Sequence, residues 1–430
     1  MARRPQSRNP VRLRTVVLAA LSACLLSAAG QAQLPVDLPD TGRLPVRDLT
    51  DRLRDRLDEP VDAIEDARQQ TLDRLLRANR DRLERSPAGD IILRRQITAL
   101  RIAAPLPETV IDAGFGIVRR RPLVGLGGEL IVLEVPLGLS TAGALRLARS
   151  LDPAGTYDFN HVYSGSGRQP GGMPGAGQGG YVRLGLVDTG VDTAHPAFRG
   201  VDFLVRGFVE ERYVPAAHGT AVADIASAPA EAGPAPLIYS ADIYGGEATG
   251  GALDALVDAL SWMAREEVGV INVSLVGPDN LLLREVVATL QARGHIVIAA
   301  VGNDGPAAPP RFPAAYDGVV GVTGLGRRNR ILPEACRGPH VDVAAPGLLA
   351  DVAVPGGATG PVRGTSFAAP LVAARLARFH PTPDAERAAA VLAALMSGLR
   401  DAGVRGRDPV YGAGILDAGA AIPVAAASER

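Results

Sequence analysis

From Tyr181 onward, short near-continuous apolar runs alternate with longer amphipathic stretches, and this alternation leaves few architectures open. The apolar runs are Val182–Val187, Leu237–Ile243, Val268–Leu275, His295–Val301 and Val319–Thr323. The longer stretches, Ala252–Arg265, Asn280–Arg293, Thr365–His380 and Pro383–Leu399, carry helical periodicity. A strand that is apolar at nearly every position has to be covered on both faces. The expected class is therefore α/β: a central, mainly parallel sheet between two helical layers.

The chain before Tyr181 has a different character. Arg3, Arg4, Arg12 and Arg14 precede an apolar run, Val16–Ala29, and small residues surround Ala32. That is the pattern of an export signal over 1–32, which predicts a secreted or periplasmic protein. The same segment also reads as a retained anchor. Leu21-Ser22-Ala23-Cys24 further resembles a bacterial lipobox, which would lipidate Cys24 and hold the protein at the outer membrane. No later run reaches the ~18 apolar residues a spanning helix needs.

Residues 33–48 are rich in Pro and Asp and read as a linker. Over 49–100, Leu49, Leu53 and Leu57, then Leu72, Leu75, Leu76 and Leu83 beyond Pro60, predict a helical extension with one buried face. Residues 101–163 predict a small α+β module: a strand at Glu129–Val135, a helix near Ser140–Leu151 and a strand at Tyr157–Tyr163. The stretch 164–180 is mostly Gly, Ser, Pro and Gln, a linker open to cleavage.

Composition removes several function classes. With 47% hydrophobic and 21% charged residues the chain is globular, and a net charge of -1 supplies no basic field for nucleic acid. All 45 basic residues are arginine, so mechanisms that need a lysine base, a Schiff base or a Walker lysine are excluded. Only Cys24 and Cys336 are present, so removal of the signal leaves one thiol and no internal disulfide. Cys336 reads as a buried structural residue. No two of the six histidines stand three or four residues apart, so a helical zinc motif is absent and no metal or cofactor is expected.

Four short segments carry candidate chemistry. Asp188-Thr189-Gly190 ends an apolar strand at the edge where open α/β sheets bind ligands. Asp-Thr-Gly alone is ambiguous, since aspartic proteases use it in a carboxylate pair. His218-Gly219-Thr220 follows, with small residues suited to close packing, whereas His195 reads as a loop residue. Val301-Gly302-Asn303 places an amide after a strand, where it serves either as a turn residue or as a donor to an oxyanion. Gly364-Thr365-Ser366-Phe367-Ala368-Ala369-Pro370 puts a serine at a helix start. It lacks the second glycine of the nucleophile elbow, which weighs against an α/β-hydrolase.

Taken together and in this order, the four segments resemble the subtilisin-like serine protease family over about residues 181–421. Ile271-Asn272-Val273-Ser274-Leu275 is similar to its substrate-binding strand, Phe312-Pro313-Ala314 to its pocket-side loop, and Tyr411-Gly412-Ala413-Gly414 with Asp417 to its C-terminal helix start. The resemblance implies a subtilisin-like three-layer fold and a triad of Ser366, His218 and Asp188. Asn303 and the Ser366 N–H would form the oxyanion hole, and Ser274, Leu275, Val276, Gly277, Ala300 and Gly302 would contact a protein or peptide substrate. It implies no cofactor. The 101–163 module is similar to the family's propeptide, with self-cleavage expected within 164–180.

Some positions depart from the family. Ala221 and Asp224 replace a common His and Gly, Ala197 replaces an Asp that supports calcium, and 227–237 is short; together these predict no calcium there. Val276 replaces a pocket-side Gly, which predicts a restricted pocket preferring Ala, Gly or Ser. Two alternatives to a general endopeptidase are a protease limited to itself or one partner, and a catalytically idle scaffold that binds or regulates.

Overall fold

The computed structural model describes residue 70 and residues 72–102, 105–165, 182–227, 236–247 and 250–417. The readings of an export signal, of Cys24, of the linker and of helix over 49–69 lie outside the described residues.

The expected sheet is present. Seven strands lie parallel: β7 (Val182–Asp188), β8 (Asp202–Gly207), β9 (Pro236–Asp242), β10 (Val270–Val273), β12 (Ile296–Ala300), β13 (Val320–Leu325) and β14 (Val343–Pro346). Their order is β14-β13-β12-β10-β7-β9-β8. The chain builds outward from β7 on one side and then returns to β10 on the other, so the sheet switches direction between these two strands. Ligands bind at such a switch point, beyond the carboxyl ends of the strands.

Successive residues of each strand enter different cores, as a period of two requires. Leu184 and Leu186 face one side with Val270, Ile296 and Ile298. Three helices cover that side: α3 (Ala217–Ser227), α6 (Ala369–Ala377) and α7 (Ala385–Ser397). Val187, Ile271, Val273, Val297 and Ala299 face the other side, under α4 (Leu253–Arg265) and α5 (Leu281–Ala292). Apolar residues with no polar partner on either face explain the near-continuous runs seen in the sequence.

A second sheet precedes this one. It contains β1 (Leu83–Arg85), β2 (Ile91–Arg101), β3 (Gly116–Pro122), β4 (Glu129–Glu134) and β5 (Thr156–His161), all antiparallel, with α1 (Glu108–Asp112) and α2 (Thr141–Leu151) packed on it. The helical pattern read across 49–100 therefore does not run to its end. Residues 72–78 are helical, but Leu83 lies in β1 and residues 91–101 form the central strand. The β-branched pair Ile91 and Ile92, with Ile97 and Thr98 beyond the arginines, favours a pleated strand, and tertiary pairing decided what leucine spacing did not.

This module caps α4 and α5. Ala252, which precedes α4, offers no side-chain cap, and Asn160 Oδ1 from the module accepts from the Asp254 N–H at 3.4 Å instead. Asp158 Oδ2 accepts from Leu281 N–H at 2.9 Å, placing a carboxylate at the positive end of α5. Arg119 forms an ion pair with Asp254, and Thr156 donates to Glu285 at 2.9 Å.

His161 gives this docking a pH dependence. It is buried, and its Nδ1 accepts from Asn280 Nδ2 at 3.0 Å. Burial pushes its pKa from the ordinary 6.5 down to about 4. Release from the buried site thus takes up a proton. The contribution of His161 to docking is full above pH 6.5, weakens as pH falls toward 4, and amounts to at most roughly 3 kcal/mol. Asp158 works against this, because burial raises its pKa and so favours docking as pH falls. In a chain nicked within 166–180, the module is expected to separate faster at about pH 5 than at about pH 7.5. His161→Gln should flatten that difference; gel filtration across pH measures both.

Candidate active site

The carboxyl edge of the sheet gathers the four segments. Asp188 is the last residue of β7 and is 1% exposed. Burial of a carboxylate has to be compensated by hydrogen bonds. Thr189 N–H donates to its Oδ1 at 2.7 Å, and His218 Nδ1 lies 2.8 Å from Oδ1 and 2.9 Å from Oδ2. The imidazole is thereby fixed with Nδ1 as the donor and Nε2 turned away from the carboxylate.

His218 stands in the first turn of α3, and Gly219 lets that turn approach β7. A Cβ at Gly219 would lie 2.2 Å from the Thr189 carbonyl oxygen, closer than any real contact. Gly219 N–H donates to Thr189 Oγ1 at 2.8 Å, which clamps the helix to the strand end. Thr220 Oγ1 accepts from Asp192 N–H at 3.0 Å and donates to the Ala216 carbonyl at 2.8 Å. A neighbouring carboxylate, Asp242, sits opposite Asp188 in register and accepts from the N–H groups of Val214, Tyr244 and Gly245; burial raises its pKa.

Ser366 is fully buried within a short helical turn, Thr365–Phe367, just before α6. Gly364 has φ 143°, a conformation that favours glycine, and it turns the chain from the strand Ala358–Arg363 into this helix. Ser366 Oγ donates to the Ser274 carbonyl at 3.1 Å, and Ser274 Oγ donates to the Ser366 carbonyl at 2.9 Å. Phe367 packs its ring 5.2 Å from the His218 imidazole, so the serine segment and the histidine share one wall.

Asn303 follows β12. Its Oδ1 accepts from Thr365 N–H at 3.0 Å, while Gly302 N–H donates to Thr365 Oγ1 at 3.2 Å. The first bond fixes the amide orientation, with oxygen toward Thr365 and NH₂ away from it. Cys336 is fully buried behind this turn, where its N–H donates to the Gly302 carbonyl at 3.0 Å.

The remaining positions surround the same edge. Ala300 ends β12 and is buried. Leu275 and Val276 form the short strand β11, which pairs antiparallel with β6 (Ser164–Gly165): Leu275 lies opposite Gly165 and Val276 opposite Ser164. Gly165 reaches the imidazole, since a Cβ there would be 3.4 Å from His218 Nε2. Gly277 pairs with Phe312 through bonds of 2.9 and 3.0 Å. A Cβ on Gly302 would lie 3.3 Å from Arg311 Cγ, and the Arg311 guanidinium is ion-paired with buried Asp304.

Other residues turn out to be structural or to differ from the sequence reading. His195 is buried, and its Nε2 bonds the Ala358 carbonyl at 2.7 Å, consistent with a loop role. Asp224 Oδ2 accepts from Ala353 N–H at 2.8 Å. Tyr411–Gly414 form a turn, Gly412 bonding Asp408, and Asp417 pairs with Arg400 at 2.8 Å; residues beyond 417 lie outside the described ones. Asp-Thr-Gly occurs twice, but Asp40-Thr41-Gly42 is outside the described residues, and Asp188 is engaged by an imidazole. Sequence reasoning did not single out Thr189 or Thr365, whose hydroxyls tie the segments together. The only signal was that each sits beside a candidate residue.

Comparison with known proteins gives the chain its family. The Subtilase family model matches residues 179–414. Subtilisin E from Bacillus subtilis (strain 168) is 32% identical over 223 residues, 47% of this chain and 57% of its own length. Subtilisin from Bacillus pumilus is 31% identical over 225 residues, 47% of this chain and 79% of its own. The chain thus spans a little over half the length of subtilisin E. Fervidolysin from Fervidobacterium pennivorans, a keratinolytic enzyme related to subtilisin, shares the fold with a TM-score of 0.64 at 17% identity, over 80% of this chain and 63% of its own. Among the described residues, no helix is long and apolar enough to cross a membrane.

Proposed function

The chain belongs to the subtilase family, and from that premise we propose that it is a serine endopeptidase made as a self-processing precursor. The observation that carries this reading is the buried Asp188 carboxylate bonded to His218 Nδ1 at 2.8 Å, beside the serine-bearing turn. In this reading, Ser366 Oγ attacks the scissile carbonyl and passes its proton to His218 Nε2. Asp188 stabilises the imidazolium and holds its tautomer. The negative charge on the carbonyl oxygen is met by the Asn303 amide and the Ser366 N–H. His218 then gives the proton to the leaving amine, which departs and leaves an acyl-enzyme. A water, deprotonated by His218, attacks the acyl carbon and releases the acid and free Ser366.

The antiparallel pairing of Ser164–Gly165 with Leu275–Val276 supports a substrate-like path for this segment. With Gly165 against the imidazole, the bond after Ser166 is the one we expect to be cut. The module before it would then be a propeptide and 181–430 the catalytic unit, exported by the signal over 1–32. The seating of Gly165 against His218 also fits the self-limited alternative, in which only the chain itself is cut. Casein hydrolysis by processed protein separates the two.

Intact masses of wild type and Ser366→Ala, both lacking 1–32, test the reading. Wild type alone should lose its N-terminal region by a cut within 164–180. Two proteins that both stay whole would contradict self-processing.

The pocket for the residue before the cut should be short. In this reading Val276 stands where the family has a pocket-side glycine and so adds bulk to that wall, and Arg311 packs beside Gly302. Peptide libraries should show Ser, Ala and Gly favoured before the cut; best cleavage after Phe or Leu would oppose this.

A further inference from the structure

The two proposed oxyanion donors sit on separate turns, and the turns are anchored in different ways. The serine turn is fixed by the reciprocal bonds between Ser366 and Ser274, at 3.1 and 2.9 Å. The Asn303 turn, beyond its bonds to Thr365, is held by one short segment, residues 334–336. Gly305 N–H donates to the Glu334 carbonyl at 2.9 Å, and Cys336 N–H donates to the Gly302 carbonyl at 3.0 Å. Asp304 N–H reaches Cys336 Sγ at 3.4 Å, and the Asp304 carboxylate is ion-paired with Arg311. The position of the Asn303 amide thus depends on where 334–336 sits.

An ion pair ties that segment to the approach of the nucleophile. Arg363, the residue before Gly364, presents Nε and Nη2 to the two carboxylate oxygens of Glu334 at 2.6 and 2.7 Å. A two-pronged fork of this kind fixes direction as well as distance. Glu334 is 7% exposed, so its charge has to be compensated in place. Gly364 N–H donates to the Gly347 carbonyl at 2.9 Å, so the fork grips a stretch of chain that is itself tied down.

We propose that Glu334 and Arg363 are positioning residues for the oxyanion hole: their fork sets the distance between the Asn303 amide and the Ser366 N–H. This rests on the protease reading above. Loss of the fork should act on Asn303 rather than on Ser366, because Ser274 holds the serine independently. A misplacement of about 1 Å costs about 100-fold in rate, and removal of an oxyanion donor altogether costs about 10²–10³. The expected fall in kcat is therefore about 10- to 100-fold. KM should stay within about twofold, since the charge this donor meets is absent from the ground state.

Two variants break the fork in different ways. Arg363→Lys keeps the charge and loses the second prong. Glu334→Gln combined with Arg363→Gln removes both charges, so no unpaired charge is left buried. Each is made in the chain lacking 1–32, with Asn303 intact and with Asn303→Ala. Self-cleavage is followed by intact mass, and brief immobilised trypsin opens any chain that does not cut itself. The assay reads kcat and KM on N-acetyl-Ala-Gly-Ser-p-nitroanilide, with melting temperature and fluorophosphonate labelling alongside. With Asn303 intact, both variants should fold, keep KM and lose kcat as stated. With Asn303→Ala, the same changes should cost less than about threefold more, because the donor they position is gone. Losses below about threefold with Asn303 intact, or equal losses in both backgrounds, overturn the positioning role and leave the protease standing. If one variant fails to fold, the other decides; if neither folds, the pair is structural and the proposal falls. A wild-type chain that neither labels nor cleaves overturns the protease reading, and the positioning role falls with it.

Discussion

Replacing Ser366 by alanine is expected to lower kcat on a cleavable peptide by about 10⁶-fold, a figure established on subtilisin and carried over to this chain rather than derived from it. Ser366 Oγ rests on the Ser274 carbonyl at 3.1 Å, and alanine removes the nucleophile without adding bulk to a fully buried site. The fold should therefore survive, which circular dichroism and the melting temperature would verify. His218→Ala should cost nearly as much, and the double variant little more than either, because the two act as one unit. Losses that simply multiplied would argue against a shared proton transfer between Ser366 and His218.

Asn303→Ala should lower kcat by about 10²–10³ with KM little changed, a magnitude that again comes from subtilisin. The Asn303 side chain has two tasks. Its Oδ1 accepts from Thr365 N–H at 3.0 Å, and its NH₂ is proposed to meet charge that appears only in the transition state. Interactions realised only in the transition state appear in kcat rather than KM. Asn303→Asp retains the acceptor for Thr365 and loses the NH₂, so it should be as slow as Asn303→Ala. If the aspartate variant recovered activity, the turn contact with Thr365 would be the amide's main task.

Much of this was legible in the sequence, for physical reasons that differ from element to element. The parallel strands β7, β10, β12 and β13 could be read because both faces are apolar, which leaves unbroken runs such as Ile296–Ala300. β8 could not, because its Leu204 and Val205 are exposed at the edge of the sheet. The helical reading of 91–100 failed because Arg94, Arg95 and Gln96 interrupt the strand alternation, and only pairing with β4 and β5 settles it. The candidate triad could be read because its segments tolerate few alternatives: Gly219 must admit the Thr189 carbonyl, and Gly364 must take φ 143°.

What links these segments could not be read. The bonds from Thr189 Oγ1 to Gly219 and from Thr365 to Gly302 and Asn303 span 30 or more residues, and no local pattern announces them. The seating of Tyr163 against Gly277 is likewise a tertiary fact. The sequence placed that tyrosine at the end of a strand before a glycine-rich run, with nothing to show which pocket it fills.

The most direct test of the proposed chemistry is to treat the processed protein with a fluorophosphonate and map the adduct by peptide mass spectrometry. The account predicts one adduct, on Ser366, formed in wild type and lost when His218 or Ser366 is replaced by alanine. A native protein that stays unlabelled, or an adduct on another serine that persists in the His218→Ala variant, would contradict it.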